Sequence, residues 1–237
     1  MIPNEIIQWQ KVITAKHNMI FGQFLPNHLT CENVKNAFLA VDRERLLPDY
    51  LKNISYSDCL IKLEHDSYIR YELSALGMMY LLQYAKIKHH ERILIMGDPT
   101  GYLTLLTSYI AQQVTTLEQN PLWYTKMSEK VYELSLHNVT LFNGPYNVGV
   151  PSQAPFDCIL IAGCIDSDLS KVSSQLKPRG RMLGFEPITK SHYHQLSRLF
   201  LLEKIERTRT KTCLHELVAP NVGVFSSKIP VEQGFLL

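Results

Sequence analysis

Two glycines and an acid stand where this sequence could do chemistry. Gly97 and Gly101 bracket a turn after the apolar run ILIM (93–96), and Glu118 closes the next run, VTTLE (114–118), 21 residues beyond Gly97. A glycine turn lets backbone approach a ligand closely, and an acid ending the following strand can take both hydroxyls of a ribose. The pair suits an adenosine-containing cofactor; a solvated strand-end acid is the plain alternative. Asn143-Gly144 ends a third run, NVTLFNG (138–144). It reads equally as a contact to an adenine edge or as a simple turn.

The turn itself narrows the chemistry. A dinucleotide needs GxGxxG and free helix-N-terminal amides for its pyrophosphate. Gly97-Asp98-Pro99-Thr100-Gly101 fits that template badly. S-adenosylmethionine carries no phosphate and needs only close backbone and a ribose acid, so the spacing favours a methyl donor over a nicotinamide. Pro99 fixes φ, removes one N–H and pushes Asp98 out of the helical region. Asp98-Pro99 is therefore expected to open the following helix as N-cap and first helical residue. The pyrrolidine ring is expected to crowd the space where the methionine part of the cofactor would lie.

These residues need a scaffold, and the pattern supplies one. Short apolar runs at 92–97, 114–118, 138–144, 157–163 and 181–187 alternate with the helical segments TLLTSYIAQQ, NPLWYTKMSEKVYELSLH and DSDLSKVSSQL. Buried strands separated by helices predict an α/β fold with a mostly parallel sheet joined by right-handed crossovers, the 93–97 strand central. Asn120 with Pro121 predicts a capped helix start. Residues 1–90 are expected to be a mostly helical extension, with 33–39 and 73–84 the better helices. The tail from about 196 alternates like antiparallel strands at a sheet edge. One domain is expected: helical extension 1–90, Rossmann-like core 91–195 and C-terminal strands 196–237.

Composition sets limits on partners. Lys+Arg 24 against Asp+Glu 22 gives a formal charge of +2, too balanced for a nucleic-acid footprint. The densest basic stretch, KIERTRTK (204–211), alternates like a solvated strand face. The five cysteines, Cys31, Cys59, Cys158, Cys164 and Cys213, show no CxxC pair and no zinc spacing. No metal is expected. Scattered cysteines of odd number suit a reducing compartment, and with neither signal peptide nor membrane span in the pattern a cytoplasmic protein is expected.

Several segments together resemble the protein-L-isoaspartate O-methyltransferases. VKNAFLAVDRERLLPDY (34–50), YSD (56–58), ILIMGDPTGY (93–102), VTTLE (114–118), NVTLFNGPYNVGVPSQAPFDCILIAG (138–163) and QLKPRGRM (175–182) occur in that family's order and spacing. APFDCILIAG and the group Arg43, Glu44 and Pro48 carry the resemblance most strongly, and HNMIFGQFLPN (17–27) looks like a divergent bacterial branch. The resemblance implies a Rossmann-like methyltransferase fold and S-adenosylmethionine held by Gly97, Asp98, Thr100, Gly101, Glu118, Asn143 and Gly144. It also implies a protein or peptide substrate carrying a carboxylate. It assigns no catalytic residue.

The departures are as specific. The family's E-I-G-x-G-x-G-Y stands here as Ile95-Met96-Gly97-Asp98-Pro99-Thr100-Gly101-Tyr102, and its adenine-side Asp falls on Asn143. Its I-S-Q-P falls on Ile69-Arg70-Tyr71-Glu72, so the family's hydroxyl is missing unless the register slips to Ser67. Arg70 and Glu72 then read either as surface residues at a helix start or as a rebuilt site in which Arg70 grips a different carboxylate. Two functions follow: an S-adenosylmethionine-dependent carboxyl methyltransferase of weak activity, or a relative that keeps the fold as a binding module.

Overall fold

The N-terminal third holds the largest departure from expectation. In the computed structural model, which describes residues 4–65, 68–189, 194–205, 208–222 and 225–226, it opens with helix α1 (Asn4–Met19) and a π-helical turn. Helix α2 (Glu32–Ala40) covers the expected 33–39 segment. Strands β1 (Ile61–His65) and β2 (Tyr68–Glu72) then form an antiparallel hairpin where helix was expected, before helix α3 (Ala75–Ala85). In β1, Ile61 and Leu63 are buried while Lys62 and Glu64 are exposed, a period-two pattern. In β2, Ile69, Arg70 and Glu72 are all buried, so both faces are covered and the alternation is hidden. Ser67 lies outside the described residues, as do Glu206 and Arg207 of the basic stretch.

From residue 92 the expected pattern holds. In chain order come β3 (Arg92–Met96), α4 (Tyr102–Ser108), β4 (Gln113–Glu118), α5 (Pro121–Glu133), β5 (Val139–Asn143) and β6 (Phe156–Cys164). They are followed by α6 (Ser170–Ser174), β7 (Leu176–Pro187), β8 (His194–Ile205), β9 (Thr208–Pro220) and β10 (Phe225–Ser226). The large sheet runs β5-β4-β3-β6-β7-β8-β9, parallel from β5 to β7 and antiparallel beyond. β3 sits inside it, as predicted, with Ile93 to Met96 fully buried. The chain leaves β3 toward β4 and β5, then returns to β6 on its other side. That reversal opens the crevice at the strands' carboxyl ends where ligands bind in such sheets. β10 lies outside the large sheet and pairs with β2. Among the described residues no helix is long and apolar enough to cross a membrane.

Local chemistry fixes the elements around the crevice. Asn120 caps α5 as expected, its Oδ1 accepting from the backbone N–H groups of Leu122 (2.9 Å) and Trp123 (3.3 Å). Helix α4 corrects the sequence reading: it opens at Tyr102, not at Pro99. Gly97 (φ +78°) and Gly101 (φ +82°) both lie in left-handed backbone, so residues 98–101 form a loop between them. Asp98 still caps the helix from outside, its Oδ2 accepting the Thr104 N–H at 2.7 Å. Arg43 anchors the end of the hairpin, donating to the Glu72 carboxylate, to the Ser55 carbonyl (3.3 Å) and to the Leu73 carbonyl (3.2 Å). Glu72 in turn accepts from the Thr100 hydroxyl.

Two expectations follow from these contacts. Arg43→Ala leaves the Glu72 carboxylate buried without its cation, which typically costs about 3–5 kcal/mol; urea unfolding of the variant should show a loss of that order. Asp98 is the second case. Burial, helped by Glu72, pushes its carboxyl up to about 7 from an ordinary value of 3.8. The folded state therefore holds this proton more tightly than the unfolded chain between those values, and its contribution to stability falls as pH rises from 4 toward 7. The slope is at most about 1.4 kcal/mol per pH unit. Asp98→Asn keeps the cap and should remove that slope; identical pH dependence in wild type and variant, measured by urea titration from pH 5 to 7, would exclude it.

Candidate active site

The carboxyl ends of β3, β4 and β5 bring the expected residues together. Gly97 N–H donates to the Leu117 carbonyl (3.3 Å), and Gly144 N–H donates to the Glu118 carbonyl (3.1 Å). Asn143 pairs with Glu118 across the sheet, and its Nδ2 donates to the carbonyls of Glu118 (2.8 Å) and Gln119 (3.3 Å). Its amide thus fastens the strand ends, the turn role rather than a free adenine contact. Thr100 binds Glu72 and accepts the Tyr102 N–H at 3.2 Å, and Gly101 precedes α4. Asp98 is buried with Oδ1 unpartnered.

Glu118 is where the geometry departs from a receptive ribose acid. Its side chain is 1 % exposed. Oε1 accepts from Arg70 Nη1 (3.1 Å) and from the Asn120 N–H (2.8 Å); Oε2 accepts from the Tyr146 hydroxyl (2.9 Å). Arg70 also reaches the Gly97 carbonyl through Nη2 at 3.4 Å. Arg70 and Glu72 are thus fully buried in β2, which overturns the reading of surface residues at a helix start. Arg70 does grip a carboxylate, but it belongs to this chain. Burial works against the guanidinium charge, yet Glu118 and Tyr146 outweigh it and raise the Arg70 pKa above its ordinary value. The Tyr146 hydroxyl is likewise raised, mainly by burial, and stays a donor at neutral pH.

The glycine turn is filled as well. After β9 the chain crosses the ends of β6 and β3, pinned by Val222 N–H donating to the Cys164 carbonyl at 2.8 Å. A β-carbon on Gly97 would overlap Cγ1 of Val222. Residues 97–101 are all buried. In this arrangement the places an adenosine-type cofactor would take are occupied by the chain itself: Arg70 lies against the ribose acid, and Val222 lies on the turn. Pro99 is not the group on Gly97. It lines a cleft of about 410 Å³ on the α5 side, with Arg45, Leu63, Trp123 and Lys126. Sequence reasoning missed Tyr146 and Val222. Tyr146 had one signal, its place directly after the Asn143-Gly144-Pro145 turn; Val222 had none.

Comparison with known proteins agrees with fold and motifs. The family model for protein-L-isoaspartate(D-aspartate) O-methyltransferase matches residues 15–222. A protein-L-isoaspartate O-methyltransferase of Petrotoga mobilis is 28% identical over 186 residues, covering 78% of this chain and 85% of that protein. One from Opitutus terrae is 25% identical over 216 residues, covering 91% and 88%. A solved protein-L-isoaspartate O-methyltransferase superposes with a TM-score of 0.77 at 20% identity, over 88% of this chain and 66% of its own. A Plasmodium falciparum structure described as a putative member, in complex with S-adenosyl-L-homocysteine, gives 0.69 at 17% identity, over 90% and 98%. S-adenosylmethionine is the cofactor of this family. With the matched segment spanning most of its length, this chain belongs to the protein-L-isoaspartate O-methyltransferase family.

Proposed function

We propose that this protein is an S-adenosylmethionine-dependent methyltransferase acting on a carboxylate of a protein or peptide, of the isoaspartyl type, with low activity in the arrangement described. The observation that carries this reading is the strand–glycine turn–helix unit with Glu118 closing the neighbouring strand, in a chain of this family. A carboxylate acceptor, with a pKa near 4, is already ionised at neutral pH. The chain therefore needs to supply no general base. It needs to supply placement and the exclusion of water, and the buried carboxyl ends of β3 and β4 offer a dry floor for both. The near balance of 24 basic and 22 acidic residues supports a protein acceptor over a nucleic acid. All five cysteines are free, which supports a reducing, cytoplasmic setting.

The test is transfer of label from methyl-labelled S-adenosylmethionine to an isoaspartyl peptide, against the same peptide with ordinary aspartate. Wild-type protein should label the isoaspartyl peptide alone, with turnover below about 1 per second, the low end of ordinary enzymes. Absence of label above background from both wild type and Val222→Ala protein would overturn the reading.

A further inference from the structure

The side chains that fill the crevice come from β2 and from the chain just after β9. Arg70 is on β2, and β2 pairs with β1 on one side and β10 on the other. Val222 lies just after β9, where its N–H bonds the Cys164 carbonyl at the carboxyl end of β6. The hairpin and Val222 together form a cover whose inward groups are a cation on Glu118 and a methyl group on Gly97. A cation there gives the buried Glu118 carboxylate its counter-charge.

We infer that this cover is a self-occupying lid: Arg70 stands in the ribose position against Glu118, Val222 stands over the glycine turn, and a nucleoside cofactor enters only by displacing both. The inference rests on the reading that this crevice is the S-adenosylmethionine site. The closed arrangement is not fully satisfied. Arg70 Nε has no partner, its contact to Gly97 is long at 3.4 Å, and only Nη1 makes a good bond to Glu118. A buried guanidinium with an unmet donor costs free energy, which leaves the lid displaceable. The fixed contacts of Glu118, from Tyr146 and from the Asn120 backbone, remain when Arg70 leaves. Because a ligand's apparent affinity falls by the fraction of protein in the competent state, the lid makes binding weak without altering the site beneath it.

Calorimetric titration with S-adenosyl-L-homocysteine tests this on wild type, Arg70→Ser, Val222→Ala and Pro99→Gly. Arg70→Ser and Val222→Ala should each tighten binding at least tenfold, whereas Pro99→Gly should change it less than twofold. A merely structural role for Arg70 or Val222 predicts the opposite sign, since loosening the fold weakens binding. Should Arg70→Ser fail to fold, as judged by circular dichroism, Val222→Ala decides alone, since it removes no charge. Measurable binding of equal strength in wild type and the lid variants would overturn the lid and leave the methyltransferase reading intact. Tightening by Pro99→Gly alone would overturn it too, by placing the obstruction in the pyrrolidine ring. No binding by any folded variant would overturn both.

Discussion

The crevice of this protein is organised by two arginine–glutamate pairs buried on either side of one glycine turn. Arg70 with Glu118 and Arg43 with Glu72 are fully or almost fully out of water. Neither pair is a simple source of stability, because desolvating two charges offsets most of their attraction. Their effect is on position. Each guanidinium supplies the counter-charge of a buried carboxylate, and the Arg70 bonds to Glu118 and to the Gly97 carbonyl set where β2 lies relative to β3 and β4 in the closed arrangement. Glu72 extends the constraint to the loop through the Thr100 hydroxyl, and Glu118 extends it to the segment after β5 through Tyr146. The loop between Gly97 and Gly101 is thus gripped from both sides.

That grip explains why α4 starts late. Asp98 and Pro99 have the local preferences of a helix N-terminus, but two left-handed glycines and the Thr100–Glu72 contact hold residues 98–101 in a loop. Asp98 still satisfies the helix end by reaching Thr104 across the turn. Local propensity chose the residue that caps; the surrounding charges chose where the helix begins. The cost appears at Asp98 itself, whose second oxygen is buried without a donor beside the Glu72 carboxylate.

The same geometry reconciles family membership with the departures from the family's motifs. The glycine turn, the strand-end acid and the following turn keep their places in the sheet. What differs is the cover. Where the family pattern has a small hydroxyl, this chain places Arg70, a long cation on a strand over the crevice that reaches Glu118. Pro99, the most conspicuous departure in the sequence, faces another cleft and leaves the ribose position untouched.

The five parallel strands, their order of appearance, the α5 cap and the antiparallel edge were legible because each is written locally, in apolar runs, period-two alternation or an Asn-Pro pair. The positions of Gly97, Glu118 and Asn143 followed, since strand ends in a parallel sheet must share one edge. The hairpin at 61–72 was not legible. Burial on both faces of β2 replaces the alternating pattern with Ile69, Arg70 and Glu72 all inside, and buried charges read as surface when their partners are 48 residues away, as Glu118 is from Arg70, or 29 away, as Arg43 is from Glu72. Nor could the sequence place Val222, an ordinary apolar residue near the end of the chain. Sequence alone determined the sheet and the residues at its carboxyl edge, because those depend on near neighbours. Tertiary structure decided what occupies that edge, because charge pairing and close packing act between segments that only the finished fold brings into contact.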